Sequence, residues 1–193
     1  MAWIEPVTLV GEHVVLEPAA ERHCADLLEA GRDELVWTWL PWPRPETEAD
    51  VAALIEGERA VALPYAQLEA AGGRAVGFTT YRDIDERHRT LEIGATWIGR
   101  PWWRTAINTE AKLLLLGHAF ETLGANRVAL KTDIRNERSQ AAIARLGAVR
   151  EGVLRHQYVR RDGSLRDTVM FSIVPAEWPA VKARLEARLA APA

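Results

Sequence analysis

Apolar positions along the middle of the chain switch period, and the switches mark out elements. Leu91, Ile93 and Trp97-Ile98 predict a strand over residues 90–98. Ile107, Ala111, Leu114, Leu115 and Ala119 then recur at helical spacing, so a long helix is expected from Thr105 to Leu123, stopped by Gly124. Arg127 to Thr132 is a short buried strand. Ala142, Ile143 and Leu146 form the inner face of a further helix, capped by Asn136 and ended by Gly147.

The flanking regions follow the same logic. Residues 7–17 predict one strand, ended by Pro18, and residues 19–30 a helix ended by Gly31. Trp37 to Pro45 is a loop stiffened by three prolines, after which Thr47 and Asp50 cap a helix bearing Val51, Leu54 and Ile55. Val61–Glu69 and Ala75–Tyr81 predict a hairpin about Ala71-Gly72-Gly73, with Arg82 to Arg89 an exposed turn into the strand at Thr90. Ala148–Tyr158 and Asp167–Ile173 are strands joined by Arg161-Asp162-Gly163-Ser164. Pro175 begins a terminal amphipathic helix through Val181, Leu185 and Leu189. The pattern is that of a mixed α/β (α+β) domain spanning residues 1–193, with a central, mostly antiparallel sheet.

The 193 residues are 48% hydrophobic and 26% charged, sufficient for a core of ordinary density. A net charge of -3 argues against general nucleic-acid binding. The lone cysteine, Cys24, excludes an intrachain disulfide and fits a reducing, cytoplasmic setting. The N-terminus lacks the pattern of a signal peptide, and no apolar run approaches membrane-spanning length. The five histidines and Cys24 show no metal-ligand spacing.

Chemistry is suggested first by the strand that feeds a loop onto a bare helix start. Main-chain amides over residues 103–108 (Trp103, Arg104, Thr105, Ala106, Ile107 and Asn108) would cradle a phosphate, with side-chain help from Arg104, Thr105 and Asn108; the alternative is an ordinary connection capped by Thr105. Gly94 inside a strand marks either a bulge, which frees a strand amide, or a close packing contact. Asn136 is a helix cap, with Ser139 one turn on. Trp39 and Trp42 in the proline loop, and Tyr81, are candidates to line an acceptor groove; the tryptophans could equally close the core.

The segments Leu91-Glu92-Ile93-Gly94, Trp97-Ile98, Asn108-Thr109-Glu110-Ala111, Asn136-x-x-Ser139 and Leu146-Gly147-Ala148 together resemble the GCN5-related N-acetyltransferases (GNAT), most of all the RimJ/RimL branch that acetylates ribosomal-protein N-termini. The resemblance implies a sheet with a splayed parallel strand pair. It implies acetyl-CoA as donor, direct transfer to an amine, and a strand amide at Trp97 or Ile98 facing the thioester carbonyl. Of the family's phosphate-loop positions, Ala106 fits, whereas Pro101 and Arg104 depart from it. An arginine where the family has glycine questions whether that position needs a positive φ. Asn136 maps to the cofactor-arm asparagine, and Ser139 to the residue that protonates the thiolate. The branch's glutamate base falls at Gln157, which cannot act as one, so Glu92 is the substitute base or else a salt-bridge partner. Tyr158 is a second candidate proton donor. The expected acceptor is a protein or peptide α-amine. A small amine (polyamine, amino acid or antibiotic) and a noncatalytic acyl-CoA sensor are the alternatives. A homodimer is common in such families.

Overall fold

The hairpin logic extends further than the sequence pattern implies. In the computed structural model, which describes residues 3–191, the stretch read as one strand over 7–17 is folded back on itself. Its arms are β1 (Leu9–Val10) and β2 (Val14–Pro18). The turn between them is anchored from afar, because the buried carboxylate of Glu110 accepts the amides of Glu12, His13 and Val14 at 2.9, 2.7 and 2.7 Å. A Cβ at Gly11 would lie 2.4 Å from that carboxylate, which is why the turn carries glycine. No local pattern foretells an anchor supplied from a distant helix.

The remaining elements are α1 (Cys24–Ala30), α2 (Glu48–Arg59), β3 (Ala62–Glu69), β4 (Ala75–Asp85), β5 (Thr90–Ile98), α3 (Ala106–Gly117), β6 (Arg127–Asp133), α4 (Glu137–Leu146), β7 (Val149–Val159), β8 (Leu165–Ile173) and α5 (Trp178–Ala190). Four boundaries differ from the sequence reading. A tight turn over Glu21–His23 precedes α1. β4 runs on to Asp85, shortening the charged turn. Beyond Gly117 the long helix widens into a π turn over His118–Thr122. α5 begins at Trp178 rather than Pro175. The caps are as expected: Thr47 and Asp50 form a capping box, and Gly147 ends α4 with φ +104°, a conformation that penalises any Cβ.

The strands form one sheet in the order β1-β2-β3-β4-β5-β6-β8-β7. Every neighbouring pair is antiparallel except β5 with β6. Strand alternation divides the sheet into two unlike faces. Val14, Tyr81, Leu91, Val128, Val169 and Phe171 turn toward α3 and α5 and join Leu115, Val181 and Leu185 in the larger core cluster. Ala66, Phe78 and Trp97 on the other face pack beneath α1, α2 and Trp37. These two helices lie against β3 and β4. Over β5, β6, β8 and β7 the same face carries Glu92, Lys131, Asp133, Arg166, Thr168 and Tyr158, placed side by side by the strand registers.

Candidate active site

The parallel ladder between β5 and β6 ends at Glu92 with Ala129, yet β5 continues to Ile98 and β6 to Asp133. The two strands therefore part, and main-chain groups of upper β5 are left facing the opening. The Gly99 amide donates to Val76 at 2.8 Å, so Gly99 and Trp97 direct their amides toward β4. By alternation the Ile98 amide points the other way, into the splay. Of the two amides considered from sequence, that of Ile98 is the one that faces the splay. Upper β5 is also bulged. Phe78 pairs with Trp97 and Thr80 with Gly94, which leaves an extra residue on β5, and Ala95 takes φ +50°. Gly94 has a separate reason to be glycine: a Cβ there would lie 2.5 Å from a Glu92 oxygen and 2.9 Å from Arg82 Cδ.

The loop after β5 leads to the start of α3. Arg104 has φ +66°, so this arginine adopts the left-handed turn that a glycine would favour. Thr105 occupies the N-cap position but does not cap; its hydroxyl donates to the Trp102 carbonyl at 2.8 Å. The opening amides of α3 at Ala106, Ile107 and Asn108 are thus left without a side-chain acceptor, as an anion cradle requires. Asn108 Oδ1 is buried with no partner among the described residues, an orphan that fits a donor on a bound arm. These observations match a phosphate-bearing cofactor. The cradle's far wall is α4, where Asn136 Oδ1 accepts the Ser139 amide at 3.0 Å, so Asn136 is the cap the sequence pattern implies. The half-buried Ser139 stands on the first turn of the same helix. Trp103 links the two walls: its indole donates to the Ile98 carbonyl at 2.7 Å, and the Arg138 guanidinium lies 3.9 Å from its ring centre.

The floor of the polar half-face is a set of charge pairs. Lys131 Nζ lies 2.8 Å from Glu92 and 3.1 Å from Asp83. Arg160 forks onto both oxygens of Asp133 at 2.6 and 2.9 Å. The two buried carboxylates differ in proton affinity. Burial pushes Glu92 above the usual carboxylate range, outweighing the pull of Lys131. Asp133 is held below that range, because its bonds to Arg160 and to the Arg135 amide overcome its burial. Burial also works against the charge on Lys131, but Glu92, Tyr158 and Asp83 together hold it above normal. Tyr158 is partly exposed between two cations, with Lys131 Nζ 5.5 Å and Arg166 Cζ 5.2 Å from its ring centre. Gln157 lies in a wide bulge of β7 between Leu154 and Tyr158, where His156 takes φ +52°.

The aromatic candidates divide. Trp39 is half-buried in the loop after α1. Trp42 packs edge-on against Phe78, with ring centres 6.5 Å apart, so it joins the core beneath α1 and α2. Tyr81 is corrected: it faces α3, fully buried, with its hydroxyl bonded to the Leu115 carbonyl, and it is a core residue rather than an acceptor-groove residue. The alternation of β4 assigns it to the apolar face.

Two interactions lie beyond the sequence reading. Arg161 donates to the carbonyls of Trp42 and Trp37 at 3.1 and 3.2 Å, tying the β7–β8 turn to the aromatic loop. Lys112 is buried under the β5 bulge, 2.8 Å from Thr96 Oγ1, which is 2.8 Å from Thr79 Oγ1. Burial without a carboxylate partner depresses Lys112 to about 7. Its place one turn into an otherwise apolar helical stripe was the available signal.

Comparison with known proteins agrees with this geometry. Residues 13–149 match the acetyltransferase (GNAT) domain family. Over 182 residues, covering 90% of this chain and 97% of the relative, the chain is 31% identical to YdaF of Bacillus subtilis (strain 168), named a putative ribosomal N-acetyltransferase, which bears out the RimJ/RimL-type resemblance. Among solved structures, a GCN5-related N-acetyltransferase from Brucella melitensis superposes with a TM-score of 0.92 at 31% identity, covering 98% of this chain and 88% of that one. A putative acetyltransferase from T. thermophilus gives 0.89 at 43% identity, covering 97% and 100%. With a parted parallel strand pair, an uncapped helix start beside it and these relatives, the chain belongs to the GNAT family of acetyl-CoA-dependent N-acetyltransferases.

Proposed function

We propose that the acceptor is the α-amine of a protein or peptide N-terminus. The observation that carries this reading is the tie between Glu92 and Lys131. Of the two buried carboxylates on the groove floor, Glu92 has the raised proton affinity and is the better proton acceptor, yet an ammonium 2.8 Å away limits its basicity. Gln157 supplies no base. A weak base suits an amine that is already partly neutral. With reference pKa values of about 7.7–8.0 and about 10.4, roughly a quarter of α-amines but only about one lysine in a thousand are neutral near pH 7.4. The floor carboxylates are each paired to a cation, which disfavours a polyamine.

Acetyl-CoA supplies the acetyl thioester. The uncapped amides at residues 106–108, with Arg104 beside them, would hold its diphosphate, while Asn108 and the Nδ2 of Asn136 would bind along the arm. The Ile98 amide donates to the carbonyl oxygen as negative charge gathers there. As the amine nitrogen bonds to the carbonyl carbon, its proton passes to Glu92. As the carbon–sulfur bond breaks, a proton from Ser139 would reach the thiolate, with Tyr158 the second available donor; solvent would restore the donor's proton and take up the one held by Glu92. The relative named for ribosomal N-acetylation supports a protein acceptor. Peptides with free N-termini, and N-terminally blocked peptides carrying a lysine, should be assayed in parallel for thiol release. Turnover confined to the free N-termini is expected, and equal turnover of both sets removes the argument.

A further inference from the structure

The cations of the groove floor are matched to carboxylates, with one exception. Lys131 takes Glu92 and Asp83, Arg160 takes Asp133, Arg127 takes Glu151, and Arg82 approaches Glu58 at 3.7 Å. Arg166 forms no salt bridge among the described residues, and its Nε is buried without a hydrogen-bond partner. It is held in place instead by the ring of Tyr158, over which its guanidinium lies at 5.2 Å. Thr168, two residues along the same strand and on the same face, is fully buried, and its hydroxyl too has no partner. Two orphaned donors side by side are costly unless a ligand satisfies them.

Their location gives them a use. Asp133 at the top of β6 pairs with Thr168, so Thr168 and Arg166 flank the parted end of the strands, across the splay from Ile98. The carboxylates near Arg166 are committed elsewhere, Asp133 to a bidentate Arg160 and Glu92 to Lys131. A planar guanidinium with an adjacent hydroxyl is suited to a carboxylate, which accepts both in one plane.

We propose that Arg166 and Thr168 bind a carboxylate of the acceptor, so that the amines this enzyme acetylates carry an acidic group close to the reacting nitrogen. The inference rests on the amine-acceptor reading above and names the acceptor's chemistry. The carboxylate has two sources: an acidic side chain in the first residues of a peptide, or the α-carboxylate of a free amino acid. Engagement of the carboxylate orients the amine toward the thioester rather than supplying chemistry, so Arg166 is a positioning residue.

The test compares C-terminally amidated peptides beginning Ala-Glu or Ala-Gln, blocked lysine peptides with a neighbouring Glu or Gln, and free alanine and glutamate, in the wild-type enzyme and in Arg166→Gln, Arg166→Lys and Thr168→Val. The expected result is a KM at least tenfold lower for the carboxylate-bearing member of a pair. Arg166→Gln should abolish that preference, raising the KM of the carboxylate-bearing member to that of its neutral counterpart, and Arg166→Lys should restore part of it. Preference in the peptide arm assigns the side-chain source, and turnover of the free amino acids assigns the α-carboxylate. Equal KM values in the wild type, or an equal loss on both members in every variant, overturn the proposal while leaving the N-terminal reading intact. Turnover of lysine peptides alone overturns the N-terminal reading, and the Glu/Gln comparison within that arm still decides the role of Arg166. No turnover of any amine overturns both. Circular dichroism and acetyl-CoA calorimetry confirm that each variant is folded and loaded.

Discussion

The proposed cofactor cradle and the proposed acceptor groove are built from different parts of the chain. The cradle is made of main-chain groups: the Ile98 amide and the uncapped start of α3. The groove is made of side chains arranged in ion pairs on a sheet face that α1 and α2 leave uncovered. A backbone site depends on where strands part and helices begin, and with Pro101 and Arg104 in the loop the opening amides of α3 remain uncapped. A side-chain site changes with each substitution. One fold can therefore keep its donor while its acceptor varies.

The largest expected effect tests the backbone half. Ile98→Pro deletes one amide that no strand partner uses, and kcat should fall about 10²–10³-fold with acetyl-CoA affinity retained, as for loss of an oxyanion donor. An unchanged kcat would move the carbonyl contact elsewhere. Glu92→Gln tests the side-chain half: turnover of α-amine peptides should drop about 10²-fold near pH 7. The deficit should shrink by pH 9, where the amines are neutral without help. A raised carboxylate pKa means that wild-type turnover climbs with pH as Glu92 loses its proton, and that limb should vanish from the variant's profile.

Lys112 marks the boundary between the halves, because it is a polar group on the apolar side of the sheet. Its folded pKa of about 7 lies below the usual lysine value, so between pH 7 and about 10.5 the unfolded chain binds a proton that the folded chain does not. Stability should therefore rise with pH across that window. Lys112→Met should lack the rise and melt higher at pH 6, which thermal melts at pH 6 and 9 would show. Arg104→Gly should raise Tm by about 2–4 °C, since relief of a left-handed arginine is worth about 1 kcal/mol in a chain of this size. If acetyl-CoA affinity is also unchanged, the cradle depends on turn shape rather than on the Arg104 charge.

The same contrast explains what the sequence pattern made legible. Strand and helix periods located β5, β6 and the start of α3, because backbone sites follow from element boundaries; the splay between the strands was implied by the family resemblance alone. The cap at Asn136 was readable for the same reason. An aromatic's type does not reveal its face, so the sequence leaves Trp42 open between groove and core and offers Tyr81 to the groove, although strand parity puts Tyr81 on the α3 side. The Arg160–Asp133 fork and the Glu110 anchor under the β1–β2 turn join residues far apart in sequence, where no local signal reports them. The wide bulge at Arg155–Gln157 was hidden because it shifts register without a glycine.

The bond from Arg161 to the carbonyls of Trp37 and Trp42 has a steric consequence. It ties the β7–β8 turn to a loop more than a hundred residues away in sequence, so a displacement of either one must carry the other with it.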